Sequence, residues 1–104
     1  MLEAPVEKRL KDRLQGRGFQ VLKLTTPGTA GTMDRLILRP LWSPGPPWFV
    51  EIKRPRKVER LLQEIVRNNW RLRGVLVLPV VDTYDAVDEL CDHVLSVCEG
   101  ERIR

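Results

Sequence analysis

Two short stretches of the chain carry charged side chains at a spacing that suits phosphodiester chemistry. Asp34 opens a short apolar stretch after a loop that contains glycine and proline, and Glu51 and Lys53 lie two residues apart in the next apolar stretch. Side chains two residues apart on a β-strand point to the same face of the sheet. If the two stretches are antiparallel neighbours, the carboxylates of Asp34 and Glu51 converge beside the lysine.

Such a cluster has the chemistry of a metal-dependent nuclease. Two carboxylates and a backbone carbonyl, such as that of Ile52, form a hard oxygen site that suits Mg²⁺ or Mn²⁺. The ammonium of Lys53 can hold a water or stabilise the charge of a phosphorane-like transition state. The alternative is that Glu51 and Lys53 are solvated residues of an edge strand. However, an unpaired charge within the apolar stretch 49–52 would be costly.

These residues also resemble a known nuclease family. Residues 27–35 (PGTAGTMDR), followed by residues 49–53 (FVEIK), are similar to the VRR-NUC domain, the virus-type replication-repair nuclease of the PD-(D/E)xK superfamily, in its small stand-alone phage form. The resemblance extends from Glu7 to about Val81, and Gln63 and Gly74 also fall at the family's spacing. Met33 departs from the family, which usually has proline there; that proline shapes the backbone and does no chemistry.

The resemblance implies one nuclease domain over residues 1–104 with a restriction-endonuclease-like fold. It implies a Mg²⁺- or Mn²⁺-dependent endodeoxyribonuclease that cuts branched DNA, with Holliday junctions the foremost substrate. It adds Glu7 from the first helix, with Glu3 in reserve, and Gln63 from the crossover helix; either could instead be an ordinary surface residue. The predicted catalytic residues are Glu7, Asp34, Glu51, Lys53 and Gln63, and the predicted metal ligands are Asp34, Glu51, Ile52 and Glu7.

The charges of the chain are unevenly distributed. Basic residues outnumber acidic ones by eight to two between positions 53 and 73, whereas positions 82–101 hold seven acidic residues and no lysine or arginine. The basic stretch is typical of a surface that faces DNA phosphates, and the acidic stretch of a solvated face turned away from DNA, although any helix exposes charge. The predicted DNA-binding residues are Arg35, Arg54, Arg56, Lys57, Arg60, Arg67, Arg71 and Arg73.

Hydrophobic periodicity predicts the elements that must position these residues. A helix starts near Pro5 and ends at Gly16 and Gly18; strands follow at 19–24, 35–38 and 48–53. An amphipathic crossover helix buries an apolar stripe at positions 58, 61, 62, 65 and 66, is extended by Trp70 and stops at Gly74. A strand at 75–78, covered on both faces, precedes a last helix capped by Asp82 and ended by Gly100, with Cys91 and Cys98 in the core. The order α-β-β-β-α-β-α predicts an α/β fold with a central mixed sheet, in which the first three strands form a meander.

Length and composition narrow the remaining possibilities. A chain of 104 residues, 42% hydrophobic and with a net charge of +4, is expected to form one globular domain without a membrane span or a signal peptide. We expect an intracellular, reducing location, which is the cytoplasm of a bacterial host if the protein is phage-encoded. Because resolving a four-way junction takes two symmetric cuts, we expect a homodimer, and the three tryptophans agree weakly. The alternative function is a non-catalytic DNA-binding or assembly module that keeps the nuclease fold.

Overall fold

The elements of the chain follow the predicted order. The structure, a computed structural model, describes residues 3–24, 34–52 and 57–103, with the backbone alone at residues 3, 57–60, 62, 63, 102 and 103. Within these ranges the elements are α1 (Glu3–Gln15), β1 (Gln20–Lys23), β2 (Arg35–Leu38), β3 (Trp48–Val50), α2 (Lys57–Leu72), β4 (Leu76–Val77) and α3 (Tyr84–Ile103). Several predictions concern residues outside these ranges, namely Met33, Lys53, Arg54 and Arg56. Others concern side chains that the structure does not describe, namely those of Glu3, Lys57, Arg60 and Gln63.

The four strands form one mixed sheet in the order β1-β2-β3-β4. The first three strands are an antiparallel meander, and β4 pairs with β3 in parallel after the α2 crossover, so both predictions of pairing are confirmed. The prediction that the fourth strand is covered on both faces is wrong. Among the described residues β4 is the last strand of the sheet, and Leu76 and Val77, which point to opposite faces, are both only half-buried.

One face of the sheet carries the hydrophobic core. Val21, Ile37, Trp48 and Val50 alternate along three neighbouring strands and are all buried. They belong to one cluster with the apolar stripe of α1 (Val6, Leu10, Leu14) and with that of α3, which includes both cysteines. Burial of Cys91 and Cys98 therefore agrees with their predicted place in the core.

α2 contacts the sheet through Trp70, whose ring meets that of Phe49 edge-on at 5.1 Å between centroids. Arg67, one turn before Trp70, is also turned inward, whereas Leu61 and Ile65 are exposed. The predicted buried stripe is therefore wrong at Leu61 and Ile65. The helix is rotated so that its aromatic and guanidinium side chains lie on the inner side instead of these two aliphatic ones.

Both α1 and α2 end at a glycine with a positive φ, as their sequences predict. Gly18 has φ +94° and Gly74 has φ +88°, a region that favours glycine. In each case the following N–H reaches back to a helix carbonyl, from Phe19 to Leu14 at 3.2 Å and from Val75 to Trp70 at 3.0 Å. These bonds satisfy carbonyls that the end of a helix would otherwise leave open.

The predicted C-terminal end of α3 needs correction, and its N-terminal end has a cap at Thr83. The hydroxyl of Thr83, the residue directly before the helix, accepts the N–H of Ala86 at 3.1 Å. The helix also runs through Gly100 to Ile103, because a single glycine weakens a helix by only about 1 kcal/mol and need not end it. Although α3 has 20 residues, no helix among the described ones is both long and apolar enough to cross a membrane.

Ion pairs join α1 to the acidic face of α3. Asp88 accepts both Arg9 and Arg13, at 3.0 and 3.1 Å, and Arg9 in particular holds the pKa of Asp88 below its usual range. Arg13 also pairs with Asp92 at 3.0 Å, and Arg17, just beyond the end of α1, pairs with Glu99 at 2.9 Å. The acidic stretch is thus not simply a solvated face, because its carboxylates fix the packing of the last helix against the first.

The core predicts a sharp difference between two leucines. Leu10, on the apolar stripe of α1, is completely buried in the core, whereas Leu41 is 98% exposed. We expect Leu10→Ala to lower the free energy of unfolding by about 3 kcal/mol, because it leaves a cavity. Leu41→Ala, the control, should change it by less than about 0.5 kcal/mol in urea denaturation. Equal effects of the two substitutions would contradict this core.

Candidate active site

Asp34 and Glu51 lie opposite each other across the β2–β3 pair. Arg35 pairs with Val50 in the antiparallel register. Asp34, directly before β2, therefore faces Glu51, directly after β3. One oxygen of the Asp34 carboxylate, Oδ1, accepts the N–H of Ile52 at 3.2 Å. The predicted convergence of Asp34 and Glu51 is thus present. Glu51 is only 3% exposed and follows an interior strand, which argues against a solvated glutamate on an edge strand.

Backbone hydrogen bonds fix both acidic residues from either side. The carbonyl of Asp34 accepts the N–H of Leu24 at 2.9 Å, which extends the β1–β2 pairing beyond the strands themselves. The carbonyl of Glu51 accepts the N–H of Val81 at 2.8 Å, beyond the end of β4. The backbone of both acidic residues is therefore fixed by neighbouring segments, at the end of β1 for Asp34 and after β4 for Glu51.

Glu7 approaches the same region from α1. Its Oε2 lies 2.7 Å from Nη2 of Arg35, and its Oε1 lies 2.9 Å from Nζ of Lys11. Arg35 first, and then Lys11, lowers the pKa of Glu7 below its ordinary value, so the carboxyl stays ionised. Glu7 is therefore half-buried and paired rather than a free surface glutamate, and Arg35 links it to Asp34.

Two of the predicted DNA contacts are not on the surface. Arg35 is 1% exposed, so the prediction that it contacts DNA is wrong. Its side chain lies on the core-facing side of β2, the same side as that of Ile37. Arg67 is 9% exposed, and burial, with Arg71 next, lowers its pKa while Glu51 and Glu64 oppose the shift. Arg67 is thus buried rather than exposed for a DNA contact. Arg71 and Arg73 are exposed at the end of α2, as a DNA contact requires.

The donor set suits a small divalent cation. A Mg²⁺ site needs only one or two carboxylates, because the ion keeps several waters, and Asp34 and Glu51 supply oxygen ligands on one face. Glu7 is engaged by two cationic groups, and within ranges 3–24, 34–52 and 57–103 no three acidic, histidine or cysteine side chains form a metal cluster. The residues present therefore fit a metal site with two carboxylates. The predicted roles of Glu7 and of the Ile52 carbonyl as further metal ligands stay predictions.

The comparisons with known proteins decide the family. No family model matches the sequence, and no curated protein matches it. A solved structure described as "VRR_NUC domain" matches with a TM-score of 0.69 and 32% sequence identity over 88% of this chain and 95% of that chain. The chain belongs to the VRR-NUC family.

Membership confirms the fold predicted from the sequence resemblance, and it makes the chain a nuclease domain whose partner is DNA. The mixed sheet with flanking helices is the restriction-endonuclease-like arrangement. Within this VRR-NUC domain the opposed carboxylates of Asp34 and Glu51 occupy the two positions that the motif resemblance singles out. Sequence reasoning missed the buried link made by Arg35. The signal for it was the period-two alternation of β2, which puts positions 35 and 37 on one face.

Proposed function

We propose that this VRR-NUC domain is a Mg²⁺- or Mn²⁺-dependent endodeoxyribonuclease that hydrolyses phosphodiester bonds in branched DNA, with Holliday junctions the foremost substrate. The observation that carries the proposal is the placement of Asp34 opposite the buried Glu51. Buried carboxylates in proteins are paired with cations or coordinate metal ions. A divalent cation bound by the oxygens of both residues would provide the nuclease chemistry.

The residues of the chain divide the work as follows. When bound, the metal ion supplies Lewis-acid polarisation of the scissile phosphate and offsets the charge that develops there. Asp34 and Glu51 provide ligand oxygens from fixed positions, since their backbone carbonyls are hydrogen-bonded to neighbouring segments. Lys53 follows Glu51 by two residues and would position the attacking water. Gln63 of the crossover helix would support that water.

The exposed arginines at the end of α2 would hold the DNA backbone. Nη2 of Arg71 lies 3.2 Å from the carbonyl of Val77, and Nε of Arg73 lies 2.8 Å from Oδ1 of Asn69. Each of these bonds uses only part of a guanidinium with five donors, so phosphate oxygens can still be bound. Contacts of this kind position DNA without reading its sequence. Arg54, Arg56, Lys57 and Arg60 would extend the same surface.

A preference for four-way junctions requires two reaction centres, and a homodimer is the simplest way to provide them. The tryptophans do not help, because Trp48 is buried and Trp42 and Trp70 pack against Phe19 and Phe49. Better support comes from Leu61, Ile65 and Leu72, whose spacing of four and seven residues places them on one exposed side of α2. A second copy of the chain would cover this apolar side.

Removal of one ligand charge tests catalysis. We expect Glu51→Gln to reduce cleavage of four-way-junction DNA at least about a hundredfold in Mg²⁺ or Mn²⁺, because the substitution keeps the shape and removes the charge. Thermal unfolding and DNA binding should stay close to those of the parent. The control Glu89→Gln, at an exposed position of α3, should cleave normally. Parental cleavage by Glu51→Gln at saturating Mn²⁺ would show that the site is wrong.

The parent protein in the same assay separates the two candidate functions. Labelled duplex, flap and four-way-junction DNA are each incubated with Mg²⁺, Mn²⁺ or EDTA. We expect cleavage with either metal, none in EDTA, and the highest rate on the junction. Tight binding without cleavage under every condition would instead identify a non-catalytic DNA-binding module.

Neutralising the two exposed arginines tests the DNA surface. We expect the double substitution Arg71→Gln/Arg73→Gln to weaken binding to all DNA sequences alike and to flatten the slope of log K against log salt by about 2, since each phosphate contact contributes about 0.9. The control Asp85→Asn/Glu89→Gln on α3 should not weaken binding. An unchanged slope would move the DNA surface elsewhere, with the basic residues of α1 next.

Sedimentation tests the dimer. We expect a species of about 24 kDa at micromolar concentration without DNA, twice the chain mass of 12.1 kDa. Ile65→Lys should convert it to the monomer, because it places a charge on the apolar side of α2. Leu41→Lys, at an exposed position outside that side, should leave the dimer intact. A parent that stays monomeric even on junction DNA would exclude paired incision by a preformed dimer.

A further inference from the structure

Arg35 is a charged side chain buried deep in the protein. It is 1% exposed and is the largest of the fully buried side chains among the described residues. A guanidinium in this position is tolerated only when anionic partners and hydrogen bonds compensate the lost hydration. Its partners therefore show what the buried charge does.

Its partners include two of the acidic residues of the candidate site, on different elements. Nη1 of Arg35 lies 2.9 Å from Oδ2 of Asp34 and 3.1 Å from the carbonyl oxygen of the same residue. Nη2 of Arg35 lies 2.7 Å from Oε2 of Glu7 on α1. A single planar group thus spans two carboxylates, which a lysine ammonium cannot do with the same fixed geometry.

The ion pair with Arg35 helps to fix the direction of the Asp34 carboxylate. Oδ2 is held by Arg35 and Oδ1 by the N–H of Ile52, the residue next to Glu51. Rotation of the carboxylate would break one of these bonds. The same guanidinium offsets the repulsion between the carboxylates of Asp34 and Glu7, since it lies between them.

We propose that Arg35 is a positioning residue that presets the carboxylates of Asp34 and Glu7 for a divalent cation. The inference rests on the proposed metal-dependent function of this site. Arg35 does not touch DNA or the reacting atoms; it acts through the two acids that it holds. Residues that orient metal ligands typically change metal affinity about 10- to 100-fold when they are replaced.

Arg35→Lys is the sharpest test, because it keeps the positive charge and removes only the planar fork. Binding of Mn²⁺ to the DNA-free protein is measured by calorimetry at a temperature where circular dichroism shows each variant folded. We expect the Kd for Mn²⁺ to rise about tenfold or more in Arg35→Lys. The control is Arg39→Lys. Arg39 pairs with Glu101 and stacks on Trp48 just beyond the other end of β2, so its replacement should lower stability and leave the Kd unchanged.

The outcomes separate this inference from the proposed function. Equal Mn²⁺ affinity of the parent and Arg35→Lys would overturn the positioning role and leave the metal site standing. A parent that binds no Mn²⁺ would overturn the proposed function and the positioning role together. A merely structural role would lower the unfolding temperature of both lysine variants alike and would not change the affinity of the folded protein.

Nuclear magnetic resonance of the parent protein covers the case in which Arg35→Lys does not fold. We expect the Nη protons of Arg35 to give separate signals without metal, because both ends of the guanidinium are fixed. These signals should shift on addition of Mg²⁺, whereas those of Arg39 should not. Arg35 signals that do not respond to saturating Mg²⁺ would overturn the inference.

Discussion

The carboxylate of Asp34 is the point on which the arrangement of the site depends. Its Oδ1 is held by the backbone of Ile52, its Oδ2 by Arg35, and its own carbonyl by the N–H of Leu24. These three interactions join the end of β1, the beginning of β2 and the end of β3. Through Arg35 they reach Glu7 and so include α1. A change at this one residue therefore reaches four elements of the fold.

The charges around Asp34 explain why so small a domain carries buried ionic groups. Arg35 and Glu51 are almost completely buried, and Arg67 of α2 is largely buried. Buried ion pairs add little net stability compared with apolar packing. They are retained at sites that need charge in fixed positions, which is the requirement of a nuclease that holds a cation against a phosphate. The stability of the fold comes instead from the apolar face shared by α1, α3 and the sheet.

Much of this arrangement could be predicted from the sequence, because it follows from local periodicity. The spacing of Asp34 and Glu51 relative to two apolar stretches was enough to place them together, and the order of elements was enough for the mixed sheet. The partial burial of Trp70 agrees with the predicted stripe of α2, but the burial of Arg67 in place of Leu61 and Ile65 was not predictable, because aliphatic residues are ordinarily buried in preference to arginine. The burial of Arg35 was not predicted, because an arginine in a basic chain is typical of a DNA contact. The sequence signal for its burial is its position two residues before Ile37, which places both side chains on the same face of β2.

Localised cleavage of the polypeptide by bound iron tests most directly whether Asp34 and Glu51 hold a metal ion. Fe²⁺ replaces Mg²⁺ in the DNA-free protein, and ascorbate with peroxide then generates hydroxyl radicals that cut the backbone near the ion. Mass spectrometry of the fragments should find cuts next to Asp34 and next to Glu51, and excess Mg²⁺ should suppress both. Cuts confined to other segments, or cuts at these positions that excess Mg²⁺ does not suppress, would contradict the proposed site.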